Sequence, residues 1–374
     1  MLDFKSNGVA LDDAYVTWDE IGLQLGELWS WGGNTYGQLG LGHNSNRSSP
    51  VQVGSLTTWI GISGGERHSL AHSSDGTLWA WGWNAYGQLG NGTIGTKYSP
   101  FQVGALTNWG HVSSGGYHSL ARKTDGTLWA WGYNANGQLG DGTATDKPSP
   151  VQVGLLTNWD TVACGVLFTL ARKSDGTLWA WGYNANGQLG NGTTTKRSSP
   201  TQIGSLTNWN NIARGGNHSL ATKTDGTLWA WGANVYGSLG DGTITNRSSP
   251  VQVGSLTNWN NAAGGQSHSL ARKVDGTLWA WGWNFYGQLG DGTRTATSSP
   301  VQVGALTNWD IVACGDNFSV ANKTDGTLWG WGDNGYGTLG DGTITSRSSP
   351  VQIGSLTNWV NISSGTHHTL TIKT

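Results

Sequence analysis

Charge is scarce in this chain: Asp, Glu, Lys and Arg make up 11% of its 374 residues, under half the roughly 25% of an average globular domain. The net charge of −2 argues against broad nucleic-acid binding, which rests on neutralising phosphates. Two cysteines, Cys164 and Cys314, are too few for a disulfide framework. No apolar run approaches the roughly 18 to 20 residues that span a bilayer. No basic segment followed by an apolar one marks a secretory signal. What is abundant instead is glycine, with 61 residues, and tryptophan, with 24. Glycine alone would suit a disordered chain, but a chain that stays solvated is poor in aromatics.

The tryptophans are periodic. Trp29, Trp79, Trp129, Trp179, Trp229, Trp279 and Trp329 recur every 50 residues, as do Trp31 to Trp331, Trp59 to Trp359 and Pro50 to Pro350. Only Trp18, Trp83 and Trp283 lie outside these three slots. A fixed period near 50 with short β-like segments predicts an all-β propeller of seven blades.

One unit reads as four strands. Residues 110–114 form the first and 118–123 the second, and Asp125-Gly126 is a strong hairpin signal. Residues 127–132 form the third, with Trp129 and Trp131 on one face and Leu128 and Ala130 on the other. A glycine-rich loop leads to a fourth strand around Pro150–Val153, where proline fits an edge. Paired Trp on one side and Leu with a small residue on the other suit face-to-face blade packing.

The ends predict closure. Thr374 falls where full repeats have the residue before Asp-Gly, and Gly26-Glu27-Leu28-Trp29 resumes the pattern of Gly76-Thr77-Leu78-Trp79. Residues 359–374 are therefore expected to pair with 26–53 as a composite seventh blade, making 26–374 one propeller behind an extension of residues 1–25.

The string His-Ser-Leu-Ala-Arg-Lys-Thr-Asp-Gly-Thr-Leu-Trp-Ala-Trp-Gly-Tyr-Asn-Ala-Asn-Gly-Gln-Leu-Gly at 118–140 resembles the regulator-of-chromosome-condensation repeat family. That resemblance implies a seven-bladed propeller, often closed by strands from both ends, but no single function. Nuclear exchange-factor members carry an inserted wedge and a basic tail, whereas here every repeat is 50 long. The plant UV-B photoreceptor places its sensing Trp before the repeat His, where this chain has Arg67, Tyr117, Leu167, Asn217, Ser267, Asn317 and His367. A bacterial β-lactamase inhibitor of similar architecture supplies an alternative reading, a soluble inhibitor or regulatory partner.

No residue set specifies an enzyme, a metal or a cofactor. His68, His118, His218, His268 and His368 share a slot with Phe168 and Phe318, so the slot is expected to serve packing, the imidazole bonding a neighbouring backbone. Cys164 and Cys314 share another slot three blades apart and read as small buried hydrophobes. Ser119, His118 and Asp125 are the residue types of a hydrolase triad, yet the set recurs in most blades. The loops such as 137–143 lack the Gly-Lys-Ser/Thr of a phosphate loop. Asp141, Asp241, Asp291 and Asp341 resemble a calcium loop without its bidentate Glu.

Comparing the seven copies locates the specialised positions. The turns between first and second strands differ completely, from Glu66-Arg67 to Thr366-His367. The loops after the third strand vary next, through Gly33, Trp83, Tyr133, Tyr183, Ala233, Trp283 and Asp333. In an antiparallel blade both loop types emerge at one end, so variability gathers on one rim. Glu66, Arg67, Trp83, Tyr117, Tyr133, Leu167, Tyr183, Asn217, Trp283, Phe285, Asn317, Asp333 and His367 are the expected binding residues, with Tyr36, Tyr86, Tyr236, Tyr286 and Tyr336 as an aromatic ring beside them. Exposed aromatics among Asn and Asp suit a protein partner or a glycan. Arg47, Lys97, Lys147, Arg197, Arg247 and Arg347 add a basic ring.

Within residues 1–25, Thr17-Trp18-Asp19-Glu20 fits a capping box. Leu11, Ala14, Tyr15, Trp18 and Ile21 form one apolar face at helical spacing. The opening Phe4–Asp13 looks like the leader of phage tail and virion proteins, which implies a docking arm; the alternative is a strand or helix that caps the disc. The sequence thus predicts a non-enzymatic display scaffold on a virion or bacterial surface, or otherwise in the cytoplasm.

Overall fold

Asp125-Gly126 turns the chain between strands His118–Lys123 and Leu128–Gly132. Gly126 lies at φ +78°, and a Cβ there would collide with the Thr157 carbonyl, so glycine is required. Asp125 Oδ1 accepts from the Thr127 N–H at 2.9 Å and the Thr127 hydroxyl at 2.6 Å, and that hydroxyl oxygen accepts from Trp129 Nε1 at 3.0 Å. The turn and the tryptophan beyond it are thus one hydrogen-bonded unit.

The computed structural model describes residues 25–374; the capping box, the apolar face and the leader lie outside the described residues. The strands form seven four-stranded antiparallel sheets. Blade two, for example, runs Trp109–Ser114, His118–Lys123, Leu128–Gly132 and Lys147–Gln152. Its fourth strand starts before Pro150, because Lys147 pairs with Gly132 across an irregular register. The composite blade orders its strands Arg47–Gln52, Glu27–Gly32, His368–Lys373, Trp359–Ser364. Trp29 pairs with Thr371 at its centre, and Lys373 Nζ meets Glu27 Oε2 at 3.0 Å. The ring therefore closes through both ends of the repeat.

The register Ala121↔Trp129 and Ser119↔Trp131 puts both tryptophans on one face. Trp131 is fully buried against Leu70, Leu78, Ala80 and Leu89 of blade one. Burying one Trp removes roughly 200 Å² from water, worth about 5 kcal/mol gross as an upper bound. Its Nε1 donates to the Gln88 carbonyl at 2.9 Å, which satisfies the one polar atom carried into the joint. Trp109 stands edge-on to both Trp129 and Trp131, with centroids 6.2 and 6.3 Å away.

The histidine slot departs from expectation. Its partner is a hydroxyl of the next blade, not backbone. His68 Nε2 lies 2.9 Å from Ser119 Oγ, and Ser119 O–H donates to the Gln88 carbonyl at 2.8 Å. The hydroxyl proton is thereby occupied, so His68 must carry its proton on Nε2 and donate it. The same link joins His118 to Thr169, His218 to Ser269, His268 to Ser319 and His368 to Ser69. Phe168 and Phe318 fill the slot at the other two joints. Burial pushes the imidazoles down, to about 3 for His68, His118, His268 and His368 and about 4 for His218. Cys164 and Cys314 are free and buried, each thiol pushed up to about 12 by burial.

Candidate functional site

In every blade the turn after the first strand is bonded to the loop after the third. Trp83 N–H donates to the Arg67 carbonyl at 2.8 Å, Tyr133 to Tyr117 at 2.9 Å, Tyr183 to Leu167 at 2.9 Å and Asp333 to Asn317 at 2.8 Å. Ala233 with Asn217, Trp283 with Ser267 and Gly33 with His367 repeat the contact. The two variable loop types therefore share one end of the disc, and the sequence-chosen residues stand beside one another there.

They form two aromatic groups rather than a uniform ring. In the first, Trp83 meets Tyr36, Tyr86 and Tyr117 at 5.8, 5.5 and 5.6 Å between centroids. Tyr133 joins through Tyr86 at 4.7 Å. The Arg67 guanidinium lies 4.9 Å from the Tyr36 ring centre and 5.4 Å from that of Trp83, close enough for cation–π attraction. Arg67 also donates to the Tyr36 hydroxyl at 3.1 Å and pairs with Glu66 at 3.4 Å. Tyr117 O–H donates to Glu66 at 2.7 Å; burial, then this bond, pushes the phenol up. The group spans the composite blade and blades one and two, and its members are half-buried.

The second group is more open. Tyr236 and Trp283 are 4.3 Å apart, Trp283 and Phe285 lie 6.0 Å apart with planes only 17° from parallel, and Phe285 is 59% exposed. Around the rest of the rim, Leu167, Tyr183, Asn217, Asn317 and Asp333 join neither group. His367 lies against Tyr336 with centroids 4.7 Å apart and planes tilted by 38°. Trp83, Tyr133, Tyr183 and Trp283 are half-buried rather than open to solvent.

At the axis, the seven turns join in a closed main-chain belt. Glu66, Gly116, Val166, Gly216, Gln266, Asp316 and Thr366 each donate their N–H to a carbonyl in the next blade's turn, at 2.9–3.3 Å. Below the belt, Arg214 reaches across the axial channel, its Nη2 3.4 Å from the Gly64 carbonyl and 3.3 Å from that of Ser114. Asp316 lines the same mouth, its carboxyl pushed up to about 7 by burial and then by Glu66. Sequence reasoning passed over Arg214. The signal was present, since its slot otherwise holds Gly64, Ser114, Cys164, Gly264, Cys314 and Ser364.

The basic ring is partly neutralised from within: Lys147, Arg247 and Arg347 pair with Asp141, Asp241 and Asp341 at 3.5, 2.8 and 2.9 Å. Asp141 Oδ1 instead accepts from Asn134 and Thr143. Among the described residues no group of three His, Cys, Asp or Glu is placed to hold a metal ion. His118 and Ser119 face different neighbours, Thr169 and His68, so they do not form one triad with Asp125.

The model of the regulator of chromosome condensation (RCC1) repeat matches residues 26–72, 75–122, 125–172, 175–222, 225–272, 275–321 and 325–372. No curated protein matches the chain. Among solved structures, human WBSCR16 is 23% identical, over 93% of this chain and 98% of that one, with a TM-score of 0.83. Prp20p from Saccharomyces cerevisiae, studied for its binding to Gsp1p and histones, is 21% identical over 94% and 92%, with a TM-score of 0.82. Yeast RCC1 (Prp20) in complex with Kap60 is 21% identical over 100% and 95%, with a TM-score of 0.83. Likeness at this identity is a likeness of fold.

Proposed function

The chain belongs to the regulator of chromosome condensation (RCC1) repeat family, and from that premise we propose that it is a non-enzymatic scaffold whose variable rim binds a protein. The observation that carries this is the aromatic group around Trp83, which gathers Tyr36, Tyr86, Tyr117, Tyr133 and Arg67 from three blades at one end. Trp, Tyr and Arg are the residues in which protein-binding energy concentrates. The setting favoured by the leader is a virion or bacterial surface, with residues 1–25 as a docking arm. A glycan is the second reading, supported by the near-parallel Trp283 and Phe285 rings, a flat apolar platform of the kind a sugar face covers.

The test is the pair Trp83→Ala and Trp283→Ala, measured against the partner recovered from the native source. Each is expected to weaken binding about thirtyfold or more. Trp83 also packs against residues of three blades, so the melting temperature of each variant is measured beside its affinity, and binding is compared at a temperature where both remain folded. Affinity unchanged in both variants would sink the rim assignment, whichever partner is recovered.

A further inference from the structure

Six blades cover their outer tryptophan with a lysine of the same sheet. Lys123, Lys173, Lys223, Lys273 and Lys323 place Nζ 3.7–3.9 Å from the ring centres of Trp129, Trp179, Trp229, Trp279 and Trp329. Lys373 lies 4.9 Å from that of Trp29. Blade one is the exception, with Ser73 in the lysine slot. Its hydroxyl is held at the wall, 2.8 Å from Thr58 Oγ1 and 3.1 Å from the Thr58 carbonyl. Nothing of this chain's own repeat pattern supplies an ammonium to Trp79.

A second break in the pattern falls at the same joint. Leu41 stands where the other copies have Asn91, Asp141, Asn191, Asp241, Asp291 and Asp341. Between the composite blade and blade one, a cavity of about 520 Å³ is lined by Leu41, Val53, Leu56, Trp59 and Trp79 among others, a size within the range of ligand pockets. Ser73, like Lys123 in blade two, lies on the tryptophan face of its sheet, since Ala71 pairs with Trp79 as Ala121 pairs with Trp129. The missing lysine and the cavity are thus on the same side. Asp75 remains in the hairpin, the counterpart of the Asp175 whose charge favours the Lys173 ammonium.

We propose that this groove receives the side chain of a lysine from a partner protein, its ammonium over the half-buried Trp79 and its methylenes along Leu41 and Leu56. Six internal copies define the chemistry: an ammonium on an alkyl stem, seated on indole, with a carboxylate nearby. The surface is the outer wall of the ring, so the proposal stands apart from the rim reading.

Calorimetric titration of the full chain with N-acetyl-lysine N-methylamide, its Nε-acetyl form and n-butylammonium tests it. The lysine compound should bind saturably, and removing the charge by Nε-acetylation should weaken binding about tenfold or more. Ser73→Lys, which copies the other six blades, should fold normally and weaken binding by a similar factor by filling the site. Absence of saturable binding, or equal affinity for the Nε-acetyl form, would overturn the proposal on the unaltered chain alone. Undiminished binding by a folded Ser73→Lys variant would place the amine elsewhere. Tighter binding of n-butylammonium than of the lysine compound would rule out a protein lysine in favour of a free amine.

Discussion

Deleting residues 366–374 is expected to remove cooperative folding near room temperature. The deletion takes away His368–Lys373, an inner strand of the composite blade, and leaves Trp359–Ser364 and Glu27–Gly32 without their shared neighbour. Leu370 and Ile372 are fully buried in a cluster with Leu28, Val53, Trp59 and Trp81. Each large apolar side chain removed from such a site costs about 2–5 kcal/mol. The two losses and the broken ladders together rival the roughly 5–15 kcal/mol that holds a domain folded. Urea unfolding followed by tryptophan fluorescence measures the effect. A deletion variant with the midpoint of the full chain would show that the ring does not depend on its closing blade.

Acid is expected to be almost as damaging. Seven buried histidines, the five of the shared slot with His72 and His111, hold pKa values of about 3 to 4 in the folded ring, against about 6.5 in an unfolded chain. The folded state binds the histidine protons less readily, so their contribution is fully present above pH 6.5. It is lost as pH falls through the window from about 6.5 to about 3. At pH 5 each histidine has lost about 2 kcal/mol and the seven together about 14 kcal/mol. Asp316 runs the other way: its carboxyl, raised to about 7, regains about 2 kcal/mol between pH 7 and 5. The balance still favours unfolding by several protons. Thermal melting from pH 7.5 to pH 4.5 should therefore show a steep fall beginning just below 6.5. Replacing His68 by Phe, the residue that Phe168 and Phe318 already supply in this slot, should flatten that fall by about a seventh. A melting temperature constant from pH 7 to 5 would refute the histidine account.

The scaffold was legible because its demands repeat. Trp129 and Trp131 alternate with Leu128 and Ala130, and the structure buries Trp131 fully while leaving Trp129 half-buried beneath Lys123. Thr374 and Gly26 marked the seam where the composite blade closes. The start of the fourth strand was misjudged by three residues, since Lys147 opposite Gly132 owes its place to an irregular register that composition does not record. The histidine partners were missed for a different reason. Ser119 lies 51 residues from His68, and only the angle between adjacent blades brings that hydroxyl to the ring. The rim was placed at the right end by strand direction alone. How its aromatics group, and that Arg214 crosses the axis, depend on side-chain reach that periodicity leaves open. Leu41 and Ser73 were visible as departures from the repeat, but their common groove appears only when two blades face each other.

The belt of bonds around the axis separates recognition from folding. Its donors and acceptors are all main-chain atoms, so the second residue of each turn, from Arg67 to His367, contributes no side chain to the bonds that fix it. Exchanges there leave the belt itself intact, although Arg67, Tyr117 and His367 would also give up contacts with neighbouring side chains. On the proposed rim reading, a lineage can redraw what the disc recognises by point substitution, without insertions. A laboratory library randomised at those turns would inherit the same freedom.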